Sequence, residues 1–267
     1  MNAKRTFAAI LIGALLSSCA TTEGGPSKTQ SGAGIGAIAG AILGAAVSDD
    51  KQKGALYGAL AGALVGAGVG RYLDEKDKQK LAASTQETIT TGTAQTWTNP
   101  ETGVTAQTQV KQTVDEPQQR QIPVLKDRVE QVPPLDFIGE DYAATKNANV
   151  RGGPGTEYKV VSTLAQGSVT RVVGKVSGQP WYMVSENDAA SGFVSADLLA
   201  PTGKSIVIQT AAATPPPAAA QNVATTNVAG TATCRVVTQQ VTLKSGETQS
   251  QDVKACRGPN GWEILNA

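Results

Sequence analysis

Residues 234–256 read CRVVTQQVTLKSGETQSQDVKAC, and their reading decides how the C-terminal part of this 267-residue chain folds. Two runs of β-forming residues flank Lys244-Ser245-Gly246, a three-residue hairpin loop with glycine in its last position. That loop pairs Leu243 with Glu247 and, counting outward, sets Cys234 opposite Cys256. Directly opposed residues on antiparallel strands lie about 4.5–5.5 Å apart, within disulfide reach. Trp262–Leu265 supplies a third strand, so residues 234–267 are expected to form a small disulfide-linked β region.

The opposite end is a targeting segment. In Met1–Ser18, Lys4 and Arg5 precede the apolar run Phe7–Leu16, which is too short to span a membrane. The run ends in Leu16-Ser17-Ser18-Cys19 and resembles the lipobox of bacterial lipoproteins. The resemblance implies a diacylglycerol thioether and an N-acyl chain, of the palmitate class, on Cys19, which anchors the chain stably. Ala20 follows where lipoproteins of the inner membrane commonly carry Asp, so sorting to the outer membrane is expected, with the domains in the periplasm. Residues 19–31 are then a lipidated polar tether. Of three cysteines, Cys234 and Cys256 remain, and a pair in an oxidising periplasm reads as a disulfide.

Composition narrows the chemistry. The chain has no His, which removes His-based triads, His metal sites and His general bases. Without Lys4 and Arg5, the 23 basic residues become 21 against 22 acidic ones, so there is no nucleic-acid footprint. No metal and no cofactor beyond the lipid on Cys19 is expected.

Between tether and hairpin, residues 32–73 repeat glycine every fourth position: Gly36, Gly40 and Gly44, then Gly54, Gly58, Gly62, Gly66 and Gly70. Leu56, Leu60 and Leu64 fall on the face opposite the glycines. Five interior glycines cost on the order of 5 kcal/mol relative to alanine. A closely packed partner helix or a lipid solvent has to offset that. Ser48–Lys53 is a polar turn between the halves, so the stretch reads as a glycine-zipper helical hairpin associated with the outer membrane, with its glycine face open to homo-oligomers. Arg71-Tyr72 and the charge run Asp74–Lys80 are expected to close that hairpin.

Residues 84–113 read as a polar β segment with a turn at Asn99-Pro100-Glu101-Thr102-Gly103 and Trp97 as packing anchor. Residues 114–135, with Pro117, Pro123, Pro133 and Pro134, read as a linker. Residues 202–233, rich in Ala, Thr and Pro, read as a second one.

Residues 136–201 have the short apolar runs of a small all-β barrel, with strands placed near Tyr142–Lys146, Val160–Leu164, Ser168–Val176, Trp181–Val184 and Gly192–Ser195. Asn149–Tyr158 (NVRGGPGTEY), Leu164-Ala165-Gln166-Gly167, Trp181-Tyr182-Met183-Val184, Gly192-Phe193-Val194 and Leu198-Leu199 resemble, in order, the bacterial SH3 (SH3b) family. That resemblance implies binding to peptidoglycan. The polar and aromatic groups beside the glycine-rich loop, Asn149, Arg151, Tyr158 and Trp181, are the candidate ligand residues. Tyr158 and Trp181 read equally well as core.

A second likeness covers most of the rest. The lipobox, the zipper, Trp97–Gly103, Cys234-Arg235, Ala255-Cys256-Arg257 and Gly261-Trp262 together resemble the 17 kDa surface antigen lipoproteins of the rickettsial type. By that likeness residues 84–113 and 234–267 form one small sheet, with the SH3b module looped out between linkers. The expected fold is therefore multi-domain: a helical glycine-zipper hairpin, an all-β SH3b-like barrel and a disulfide-linked hairpin region, joined by disordered linkers. The expected protein is a non-enzymatic envelope lipoprotein. Alternatives are a zipper-driven assembly or an activator of a wall hydrolase.

Overall fold

The computed structural model describes residues 72–203, 208–210 and 222–265. Cys19, the tether and all eight zipper glycines lie outside the described residues.

The first element is a helix. Asp74 caps α1 (Glu75–Thr91) by accepting the Asp77 N–H at 2.7 Å, and Glu75 and Asp77 place negative charge in the first turn. The charged run therefore opens a helix of its own, and the zipper hairpin it is expected to close lies outside the described residues. The helix also takes up residues 84–91, so the expected β segment begins only at β1 (Gln95–Thr98). The Thr-rich sequence favours strands locally, but packing overrides it. Leu81, Ala82, Ser84, Thr85, Thr88 and Ile89 form a buried stripe against the sheet. Its polar members are satisfied: Thr88 and Thr108 share a hydroxyl contact at 2.7 Å, and Gln239 Nε2 donates to Thr85 Oγ1 at 2.6 Å.

The turn at Asn99–Gly103 forms as expected, and it holds α1. Asn99 Nδ2 donates to Asp77 Oδ1 at 2.6 Å, and Thr102 Oγ1 donates to Oδ2 at 3.2 Å. Asp77 is fully buried, so these donors satisfy a carboxylate that water cannot reach.

Both expected linkers contain strand, the first from residue 114 to Leu125 and the second at Ile208–Thr210 and from Val223 onward, while residues 204–207 and 211–221 lie outside the described residues. β2 (Thr105–Leu125) pairs antiparallel with β11 (Val223–Thr242), from Thr105 opposite Thr242 to Leu125 opposite Val223. This ribbon is on the order of 60 Å long. Pro117 and Pro123 do not break it, for a reason visible in the register. Lys126 N–H donates to Asn222 O at 2.8 Å, so even-numbered residues in this part of β2 bond to β11. Odd-numbered Pro117 and Pro123 turn their missing N–H toward the other edge. Between the pairings with β1 and with Ala190 that edge has no partner strand among the described residues.

The ribbon buries opposite faces at its two ends. Val237, Gln239 and Val241 face α1, whereas Val228, Ala232 and Cys234 face the SH3-like strands. Odd and even residues of a strand point to opposite sides. On β2 an extra residue, Lys111, sits between Val110 opposite Val237 and Gln112 opposite Val236. This bulge lets Ala106 and Ile122, both even-numbered, be buried on opposite sides.

The remaining strands are β3 (Leu135–Ala144), β4 (Ala148–Arg151), β5 (Val160–Leu164), β6 (Val169–Val176), β7 (Trp181–Glu186), β8 (Ala189–Ser195) and β9 (Leu199–Pro201), with a short 3-10 helix at Ala196–Leu198 before β9. β3 starts at Leu135, earlier than expected from Tyr142. β10 (Ile208–Thr210) pairs parallel with β13 (Gly261–Leu265) inside the second expected linker.

The SH3-like part is not looped out. The strands run β2-β8-β7-β6-β3-β11, and β11 pairs back to β2, which closes a six-stranded barrel. Ile122, Val124, Leu135, Phe137, Met183, Phe193 and Val228 fill it. A second core with Tyr142, Val150, Val172, Val184 and Val194 lies on the other face of β6–β8. β8 is consequently buried from Ala189 to Val194 without alternation.

The hairpin of β11 and β12 (Thr248–Gly258) keeps the expected register. Leu243 N–H donates to Glu247 O at 2.8 Å, Gly246 adopts φ 87°, and Cys234 opposite Cys256 forms a disulfide with S–S 2.02 Å. Trp262 lies fully buried between the guanidinium groups of Arg235 (5.0 Å) and Arg257 (5.1 Å). Arg235 donates to the carbonyls of Ile89 and Thr90, which supplies the cation α1 lacks in its last turn. Arg257 pairs with Glu140 on β3. Gly139, at φ 63°, is needed at this seam, because a Cβ there would sit 2.2 Å from Gly261 N.

Candidate functional site

The candidate site sits on the outer side of the β4–β5 hairpin. Asn149 on β4 stands opposite Thr163 on β5, and both are exposed. Residues 152–159 fold back as a loop held from inside: Gly152 N–H donates to Lys159 O at 2.9 Å. Arg151 Nη1 donates to the carbonyls of Thr156 at 2.9 Å and Tyr158 at 2.8 Å. Trp181 begins β7 opposite Ser195 of β8. Its ring packs partly against the barrel core and partly borders the site.

Asn149, Arg151 and Trp181 come together around one open pocket of about 230 Å³. Asn147, Thr163, Ser195 and Leu198 join them in its lining. These four were absent from the sequence-based set. Thr163 reaches the site only through the β4–β5 register, and Leu198 only through the 3-10 turn, and neither is visible in residue order. Arg151 is the one charged residue in the lining. Ser195 donates its hydroxyl to Asp197, which does not line the pocket.

Tyr158 is elsewhere. Its ring covers Gly153, where a Cβ would lie 2.5 Å from the ring atoms, and its hydroxyl accepts from Gln131 Nε2. Tyr158 therefore ties the loop to the segment between β2 and β3. Glu130 N–H adds a bond to Gly152 O at 2.9 Å in the same place. Of the two aromatic candidates, then, one lines the pocket while packing on core and the other serves the loop.

A wider groove of about 410 Å³ lies behind the hairpin, floored by Val150 and Val184 and bordered by Val169. Its two charged residues are already engaged, Arg171 with Asp141 and Glu186 with Arg128. Glu116 lies close to Cys234 and Cys256, but disulfide sulfurs are no thiolate ligands, so that group offers a metal only one carboxylate.

Around Tyr142, burial raises the phenol's pKa to about 12, with the neighbouring Tyr182 ring (centroids 5.2 Å apart) adding to the effect. Glu263 is likewise pushed above the ordinary carboxylate range by burial, against the pull of Arg120 at 2.7 Å.

Comparison with curated proteins finds no match for this chain. Two family models do match it. Residues 1–74 match the YMGG-like Gly-zipper, and residues 146–200, which contain Asn149, Arg151 and Trp181, match the bacterial SH3 domain.

Proposed function

We propose that this chain is an outer-membrane lipoprotein that binds peptidoglycan. Acyl chains on Cys19 and the glycine zipper of residues 32–73 hold it at the membrane, where the glycine face can bring copies together. The pocket beside Arg151 contacts the wall. The reading draws support from both family matches: a bacterial SH3 domain suggests cell-wall binding, and a Gly-zipper suggests membrane association.

The observation that carries it is the pocket itself. Neutral amides and hydroxyls, one arginine and one indole surround a shallow opening inside the SH3-matched segment. Such groups hold a ligand by hydrogen bonds and stacking, which is recognition and not turnover. The position fits too. The SH3-like strands join the ribbon at Gly230, Thr231 and Val124, whereas Leu73, where the zipper segment ends, packs beside Val241 and Leu243.

The test is cosedimentation of the full chain, in detergent, with purified sacculi. Asn149→Ala combined with Thr163→Ala should lower the bound fraction and leave the thermal melt unchanged, since both side chains are exposed and neither holds the loop. Wild-type protein that stays in the supernatant would rule the reading out.

A further inference from the structure

We infer that the pocket beside Arg151 recognises the free carboxylate that ends a short peptide. The inference rests on the wall-binding reading and names the part of the wall that is held. Arg151 spends only Nη1 on the loop, on the carbonyls of Thr156 and Tyr158. Its Nε and Nη2 have no hydrogen-bond partner among the described residues. Those two N–H groups form one side of the guanidinium, the fork that a carboxylate takes with two parallel hydrogen bonds. The loop carbonyls thus fix the group and leave that fork for a ligand.

The rest of the lining agrees in charge. No Asp or Glu lines the pocket, so an ammonium group would meet a positive charge with nothing to balance it. Asp197, close by, is already taken up by Ser195. Asn149 and Thr163 can pair with a peptide amide next to the carboxylate, and Trp181 with Leu198 gives a side chain an apolar wall. The volume, about 230 Å³, lies below the roughly 300–1,000 Å³ of pockets that enclose drug-sized ligands. That suits the end of a peptide better than a length of glycan.

The experiment compares N-acetyl-alanyl-alanine as the free acid with its C-terminal amide, in D,D and L,L forms, on the full chain by isothermal titration. The acid should bind in at least one stereochemical form, with the matching amide roughly ten-fold weaker or worse. Equal affinities, or binding of neither, would overturn the inference. Arg151→Lys keeps the charge without the fork and should lose the preference for the acid. If that variant does not fold, the wild-type comparison still decides. A second arm uses sacculi whose carboxyl groups have been amidated with carbodiimide and ammonium. Loss of cosedimentation against native sacculi supports the carboxylate site. Equal retention defeats it and leaves wall binding standing. Failure on native sacculi defeats wall binding, and the peptide pair then judges the carboxylate site alone.

Discussion

Cutting residues 135–201 out of the chain should leave a module that does not fold stably. A bacterial SH3 domain would ordinarily be expected to stand alone, but here its sheet is covered on both faces. Leu135, Phe137, Val173, Val176, Met183 and Phe193 point into the barrel that β2 and β11 close, and each is at most 3% exposed. Without the ribbon these side chains face water on one side. Full exposure of a large apolar side chain costs about 1.5–3 kcal/mol, and half of that for six of them is roughly 5–9 kcal/mol. A domain has only about 5–15 kcal/mol in total. The excised module should therefore show weak near-ultraviolet circular dichroism, bind a hydrophobic dye and melt without a sharp transition. Residues 72–265 as one piece should melt cooperatively. An excised module with a cooperative melt within a few degrees of that longer piece would refute the shared-barrel argument.

Asn99→Ala removes the amide that donates to buried Asp77, and should destabilise the protein by about 1.5–3 kcal/mol, the range for a bond to a charged group, measured by denaturant titration. A change within error would show that Asp77 does not need this donor. Tyr142 gives a pH prediction. Its phenol is raised to about 12 in the folded chain, while an unfolded tyrosine ionises near its ordinary value of 10.0. The unfolded chain therefore releases its proton first, and stability should be full below pH 10 and fall progressively toward pH 12. Tyr142→Phe should flatten that decline, as followed by unfolding titrations across this range. At the anchor, Cys19→Ser should abolish uptake of labelled fatty acid and leave an unprocessed precursor, and label in the variant would remove the lipobox reading.

Local chemistry determined a good deal from residue order alone. Lys244-Ser245-Gly246 set a turn, the turn set a register, and the register put Cys234 against Cys256, because a hairpin's pairing is dictated within a few bonds of its loop. The same holds for the turn at Asn99–Gly103, whereas Trp181 joins Asn149 and Arg151 at the pocket only because β8 pairs with both β4 and β7. The zipper periodicity agrees with the match to the Gly-zipper family over residues 1–74.

Tertiary structure decided the rest. Prolines at 117 and 123 read as linker until the alternation shows their nitrogens on an edge that needs no donor. The threonines within residues 84–91 favour a strand, yet α1 exists because Asp74 caps it and because Leu81 and Ile89 find the sheet. Phe193 and Met183 look like the interior of an ordinary SH3 barrel, yet they fill the six-stranded barrel whose other wall, β2 and β11, lies thirty residues or more away in both directions. Tyr158 looks like a ligand residue, and Gln131 with Gly153 makes it a clasp. Turn geometry is a property of neighbours in sequence. Which edge is free, which face is covered and which ring is spoken for depend on strands that meet only after the chain has closed.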